Sequence, residues 1–376
     1  MSENTADELL RKLVSYQTVT GDFEVNNAAL DYISEYLSDR GMHINRFVFE
    51  NFGSLVATTR PNTKTPKVML FAHIDVVPGR DVQWRVQERD GKYFGRGVFD
   101  MKFSLATYMQ IVEELKDDLG DYDFGIMVTT DEETGGTRGT ERLIDIGYLP
   151  NICVMPDGGE GWEIETRAKG IWHLLLETRG KSSHGSRPWE GDNAINSMMK
   201  VIHEIEDLFS DGQKPHTDTL TVSYIKAGKA INQVPDRAEV GLDIRFVSNE
   251  SRDFIKANVA AICSKNNVGT TILEDGDIVI TDLTDPYVES FMQSINKITG
   301  LAPKSCTSHG STDARFFAEV NISSIISAPA CGDRHGDNEW IDVDGVRQFT
   351  DVVRDYIEKV AKEKSPKAEL PLELVS

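Results

Sequence analysis

The sequence predicts an α/β protein whose mostly parallel sheet is flanked by helices, with a smaller α+β domain inserted into it. Three observations lead there. Short continuous apolar runs recur at 67–72, 124–130 and 152–156, the composition of strands covered on both faces. Helical periodicity alternates with them, the grammar of a parallel sheet. Between about 168 and 282 the order changes to β-α-β-β-α-β, the ferredoxin-like arrangement. A chain of 376 residues also exceeds what one hydrophobic core normally serves.

Taken in order, "NNAALDYISEYLSDRG" places Ala29, Ile33, Tyr36 and Leu37 on one helical face, with Gly41 suited to close the helix. "KVMLFA" is a buried strand, "SLATYMQIVEEL" a helix and "FGIMVTT" a second strand. "TRGTERLIDIG" reads as a helix and "ICVMP" as a third strand. In the insertion, "IWHLLLETRG" is a strand and "DNAINSMMKVIHEIEDLF" a long amphipathic helix. "TLTVSYIKAG" and "RAEVGLDIRF" are strands, followed by the helix "SRDFIKANVAAICSK" and the strand "TTILEDGDIVI". The first grammar then resumes with the helices "YVESFMQSINKI" and "STDARFFAEV", the strand "ISSIISA" and a closing helix near 344–361. The expected domains are therefore 1–167 with 283–376, and 168–282 between them. The polar, Pro-broken "KSPKAELPLELVS" is expected to be a loose tail.

The composition is that of a soluble globular protein, 39% hydrophobic and 27% charged. A formal charge of -21 argues against nucleic acid or an anionic membrane as partner, since both call for a basic surface. "MSENTADELLRKL" has neither the basic nor the apolar region of a secretory leader, and no apolar run approaches a membrane span. Cys153, Cys263, Cys306 and Cys331 are scattered without a C-x-x-C pair, which fits a reducing cytoplasm. Any metal would have to be held by His, Asp and Glu.

Ligands of an open α/β sheet gather beyond the carboxyl ends of its strands. There the chain carries His73 and Asp75, then Asp131, Glu132 and Glu133, then Asp157. His335 follows the last strand and Asp100 opens the helix after "GRGVF". Each has a plain structural alternative: His73 as a core histidine, Asp75 as a turn cap, Asp100 as a helix cap. Jointly, however, two His and several carboxylates on one rim make an N/O set suited to zinc, manganese or cobalt rather than calcium.

"AHIDVVP", "GRGVFDMK", "TTDEETGG" and "HGDNEW", in this order, resemble the zinc metallopeptidase family of acetylornithine deacetylase, succinyl-diaminopimelate desuccinylase, aminoacylase and glutamate carboxypeptidase. The resemblance implies a zinc-exopeptidase fold with a lid and dimerisation insertion, and a homodimer. It also implies two zinc ions, with cobalt or manganese as alternatives. His73 and Asp157 would hold one ion and Glu133 and His335 the other, with Asp100 bridging. Asp75 would accept the second ring N–H of His73. Glu132 would be the general base. The family often has Glu where this chain has Asp157 in "MPDGG". Asp131 is left to a solvated turn.

From the insertion, the resemblance brings His184 of "GKSSHGSRP" to the oxyanion of the tetrahedral intermediate, often across a subunit boundary. Asn232, Arg245 and, in "HGSTDARFF", Arg315 would grip the substrate, Arg being suited to a planar carboxylate. A surface salt bridge is the alternative role for either arginine. The implied substrate is an N-acyl amino acid or short peptide with a free carboxylate. Dipeptidase or carboxypeptidase activity stays open, as does a non-catalytic metal- or peptide-binding homologue. Ser308, His309 and Asp313 are too close in sequence for a serine triad, and no G-x-S-x-G is present.

Overall fold

The computed structural model describes residues 5–209 and 214–363; the expected tail lies outside them. The fold is mixed α/β and divides into two compact units. The first takes the chain up to Glu165, Asp282–Cys306 and the chain from Ile322 on; the second takes Thr166–Thr281 and Thr307–Asn321. Segment 307–321, which the sequence reading assigns to the first unit, thus packs with the second.

In the first unit, a six-stranded sheet runs in the order His43–Phe49, Phe52–Thr58, Phe124–Thr129, Val68–His73, Ile152–Val154, Ser324–Ile325. The last four strands are parallel, and every residue of Val68–His73 and Phe124–Thr129 is buried. This is why those runs are apolar throughout: helices leave no solvated face. The first two strands form an antiparallel hairpin that the sequence reading does not anticipate. Its outer strand, "HINRFVF", is only half-buried and has no continuous apolar run.

Helices Ala6–Ser15, Lys102–Leu115, Pro286–Thr299 and Val343–Val360 pack on one another, and Phe23–Ser38 packs on the hairpin. Three expected elements are shorter than their patterns suggest. The helix after the acidic triplet is only Thr140–Asp145, the one around Arg315 only Ala314–Glu319, and the strand in "ISSIISA" only Ser324–Ile325. A second, small sheet joins Cys331–Gly332, Trp340–Asp342, Lys92–Phe94 and Gln87–Arg89. It sets the loop 333–339 beside the segment that leads from Phe94 to Asp100.

The second unit is a four-stranded antiparallel sheet in the order Thr219–Ala227, Arg237–Phe246, Gly170–Arg179, Gly269–Gly276. Helices Ala194–Glu206 and Asn249–Lys265 bury one face of it, Met198 of the first helix packing in one core with Leu174, Leu176, Val240 and Ile244 of the strands. Strand order and connectivity are those of a ferredoxin-like unit. The alternate face bears His173, Asp243 and Glu274 as cross-strand neighbours. Among the described residues, no helix is long and apolar enough to cross a membrane.

Candidate metal centre

Register places the first half of the centre. His73 ends its strand directly beside Thr129, the last residue of the neighbouring parallel strand. The chains leaving those ends therefore meet at one level, as the twist of a parallel sheet requires of ligands at its carboxyl edge. Glu132–Thr134 form a single 3-10 turn, closed by Gly135 in the left-handed conformation (φ 97°) that a side chain would resist. Within this turn the backbone N–H groups of Glu132 and Glu133 donate to the two Asp75 carboxylate oxygens at 3.3 and 3.2 Å. The Thr20 hydroxyl adds a third bond to Asp75 at 2.9 Å.

Asp100 lies at the middle. His73 Nε2 is 2.9 Å from its Oδ1, and His335 Nε2 is 3.0 Å from its Oδ2. His335 Nε2 is also 3.1 Å from Glu133 Oε1, while Glu132 Oε2 stands 3.9 Å from His73 Nε2. Two groups of potential ligand atoms result, His73 with Glu132 and Asp157, and Asp100 with Glu133 and His335, each set within 4.8 Å. All seven residues expected at the centre from the first unit are thus gathered together.

Asp75 differs in detail from its expected contact. The His73 Nδ1 lies nearest the Asp75 main-chain oxygen, at 3.0 Å, with the carboxylate at 3.6 Å. The backbone carbonyl fixes the tautomer, and the carboxylate mainly secures the Glu132–Glu133 turn. Asp131 is corrected more sharply. It is fully buried, and its Oδ2 accepts from the N–H groups of Arg138 and Gly139 at 2.7 and 2.9 Å. It pins the loop that follows the turn instead of facing solvent.

Four charged residues of the centre were not assigned from sequence. The buried Glu339 accepts from the N–H groups of Gly97, Phe99 and Asp100 at 3.0, 3.0 and 3.2 Å, and pairs with the buried Arg96 at 2.7 Å. Arg96 in turn donates to the His335 carbonyl at 3.1 Å, so one ion pair clamps the Asp100 loop to the His335 loop. Lys102 is buried with its Nζ donating to the carbonyls of Leu13 and Tyr16. Arg334 donates to Asp157 Oδ1 at 2.9 Å. Glu339 and Arg96 lie inside the quoted motifs, and a carboxylate directly before the aromatic residue that starts a strand was the signal available.

Burial opposes a charge on His73, yet the adjacent Asp100 and Asp75 outweigh it and hold its pKa well above the ordinary histidine value. Burial likewise disfavours the Asp100 carboxylate, but His335 and His73 keep it well below the usual range. Burial pushes Asp157 up to about 6 in spite of Arg334, and it lowers Lys102 to about 7. Such opposed environments within one cluster are typical of functional sites. The donor chemistry fits divalent metal ions: imidazole and carboxylate in two converging groups, with second partners for both His73 and Asp100.

The other expected residues belong to the second unit. His184 is exposed in the short strand Ser183–His184, which pairs with Gln233–Val234; its Nδ1 is 2.8 Å from Ser186 Oγ. Asn232 borders that pairing, its carbonyl accepting from Gly185 N–H at 2.7 Å. Arg245 forms a two-bond pair with Asp243 at 2.7 and 3.2 Å, and Arg315 pairs with Glu274 at 2.6 Å. His173 bridges the two carboxylates, at 3.4 Å from Asp243 and 2.9 Å from Glu274. The two arginines are therefore linked through His173, whereas His184 and Asn232 form a separate group.

Comparison with known proteins bears on the family and the fold. The family profile described as peptidase family M20/M25/M40 matches residues 69–359. The succinyl-diaminopimelate desuccinylase of Sulfurovum sp. (strain NBC37-1) is 26% identical over 373 residues, covering 93% of this chain and 97% of its own. That of Paracoccus denitrificans (strain Pd 1222) is 28% identical over 379 residues, covering 94% and 97%. Among solved structures, a tripeptidase from Staphylococcus aureus superposes with a TM-score of 0.77 at 19% identity, over 96% of this chain and 99% of that one. An M20 family metallo-carboxypeptidase from Sulfolobus solfataricus gives 0.77 at 16% identity, over 95% and 99%.

Proposed function

The chain belongs to the M20/M25/M40 peptidase family, a family of metal-dependent hydrolases, and from that premise we propose that it is a di-zinc amidohydrolase of N-acyl amino acids. The observation that carries the reading is the position of Asp100, whose two carboxylate oxygens face His73 on one side and His335 on the other. In this reading His73 and Asp157 would hold one ion and Glu133 and His335 the other, with Asp100 available to both; cobalt or manganese would fit the same donors. A bound metal pair supplies Lewis-acid polarisation of the amide carbonyl and makes water a competent nucleophile near neutral pH.

The protein's own groups do the rest. Glu132, positioned by its backbone N–H to Asp75, takes a proton from the attacking water and returns it to the departing nitrogen. Asp75 keeps both acidic neighbours in place. His184 stabilises the oxyanion, and Asn232, Arg245 and Arg315 bind the substrate, the guanidinium groups taking its free carboxylate. The second unit serves as lid and as the contact of a homodimer, and the protein works in the cytoplasm on small molecules or short peptides. The desuccinylase names of the relatives favour an N-succinyl or similar acyl group.

A hydrolysis screen over N-acetyl and N-succinyl amino acids and dipeptides, with zinc, cobalt or manganese added, tests this. Cleavage of the N-acyl compounds that chelator abolishes and metal restores is the expected result. Undiminished hydrolysis in excess chelator refutes the metal mechanism, and cleavage confined to dipeptides reassigns the chain to the peptidases of the family.

A further inference from the structure

The loop that carries His335 also delivers a cation. Asp333 and His335 both adopt left-handed backbone conformations, φ 56° and 60°. The turn is tied by Gly336 N–H to the Asp333 carbonyl at 2.8 Å and by Asn338 N–H to the Asp333 carboxylate at 2.7 Å. As a result two successive side chains, Arg334 and His335, enter the same carboxylate cluster. Arg334 Nη1 is 2.9 Å from Asp157 Oδ1, and its Nε is 3.8 Å from Asp100 Oδ2. The guanidinium lies 4.8 Å over the ring of the buried Phe99, which holds its plane.

A guanidinium keeps its proton at any working pH, so this charge cannot be withdrawn by titration. The Asp157 oxygen that faces it is already engaged, and an ion entering beside His73 meets a fixed positive charge. On the other side His335 Nε2 meets both Asp100 and Glu133, at 3.0 and 3.1 Å, and Arg334 approaches Asp100 only to 3.8 Å. We infer that Arg334 is an internal competitor for Asp157 and makes the two metal positions unequal. The Asp100–Glu133–His335 position fills first, and the position shared by His73 and Asp157 holds its ion more weakly. This rests on the two-metal reading above. It adds that the chain responds to free metal in two stages, the second set by one arginine.

Zinc titration of the metal-free chain against a chromophoric chelator, with metal content measured after dialysis, is the test. Two zinc ions per chain with dissociation constants at least about tenfold apart are expected. Arg334→Met should tighten the weaker ion about tenfold or more and leave the tighter one unchanged, whereas Arg334→Lys, which keeps the charge, should keep the gap. His73→Ala should remove the weaker ion and His335→Ala the tighter one. Equal affinities in the unaltered chain, or a gap unchanged in folded Arg334→Met, overturn the inference while leaving two metals in place. A chain that binds no zinc stoichiometrically refutes the two-metal reading itself. Should Arg334→Met not fold, stepwise cobalt(II) absorption spectra of the unaltered chain and Arg334→Lys decide: two distinct stages in both support the inference, and one simultaneous stage overturns it.

Discussion

The Asp100 N–H donates to the Glu339 carboxylate at 3.2 Å, a bond between residues 239 positions apart. With Gly97, Phe99 and Arg96 as its other partners, Glu339 is fully occupied in holding the loop that ends at Asp100. Glu339→Ala leaves Arg96 buried without its counter-charge, a change that costs about 3–5 kcal/mol. In the two-metal reading it also removes the support of the proposed central ligand, worth about 10- to 100-fold in metal affinity. Urea unfolding and zinc competition measure the two effects. An alanine variant as stable and as zinc-avid as the parent would show that the cradle is dispensable.

Glu132 and Glu133 are neighbours with different surroundings, and their substitutions should differ in kind. Glu132→Gln should retain its metal and lose turnover by about a hundredfold or more, the scale of an acid–base catalyst. Metal analysis beside steady-state rates separates the outcomes. Loss of an ion from Glu132→Gln would make this residue a ligand, a role its place with His73 and Asp157 also permits.

Asp131→Ala should destabilise the first unit by about 1–3 kcal/mol, because two buried N–H groups lose their acceptor. Asp131→Asn keeps an acceptor oxygen and should cost less. Burial raises the Asp131 pKa to about 6. A raised carboxyl pKa gives stability that is complete below the unfolded value near 4 and is lost as pH rises through about 6. The asparagine variant therefore gains on the parent as pH rises through that window. Urea midpoints across the acid range check the sign, and parallel curves would refute it.

In the second unit, Asp243 and Glu274 raise His173 to about 9. The stability this provides is full below the free histidine value near 6.5 and fades as pH rises through about 9. Both partners are ionised across that range, since His173 and the arginines hold them low against the effect of burial. His173→Gln should flatten the loss; its ceiling of about 3 kcal/mol is reduced by solvent, as the ring is about a third exposed. Equilibrium unfolding at intervals between about pH 6 and pH 10 tests it. A variant that keeps the alkaline slope would exclude His173 as its origin.

The legible part of the centre was the part encoded by strand burial. "KVMLFA" and "FGIMVTT" are apolar because both faces are covered, so the polar residues directly after them stood out as rim residues. Asp100 and His335 were marked by their places at a helix start and after the last strand, and motif resemblance then supplied their roles as ligands. Asp131 was misread because three acids before two glycines look solvated, whereas the turn at Glu132 tucks the first of them inward. Glu339 and Arg334 escaped for another reason. The burial of Glu339 and the placement of Arg334 follow from the small sheet that pairs Trp340–Asp342 with Lys92–Phe94, a pairing across most of the chain. Similarly, Arg245 and Arg315 could be proposed singly, but their link through His173 depends on three-strand register.

That distant pairing also bears on how the protein comes into being. The bonds that fasten the Asp100 loop span 239 to 243 positions, and the parts they join are separated in sequence by the whole four-strand sheet of the second unit. A nascent chain that has not yet reached Ile322 holds His73, Asp100, Glu132 and Asp157 but lacks His335, Glu339 and the strand Ser324–Ile325. No amino-terminal fragment can therefore assemble the full ligand set. Such closures of long loops are the slow, costly ones in folding. In the two-metal reading, binding at both positions therefore waits until the segment that carries His335 and Glu339 has docked on the Asp100 loop.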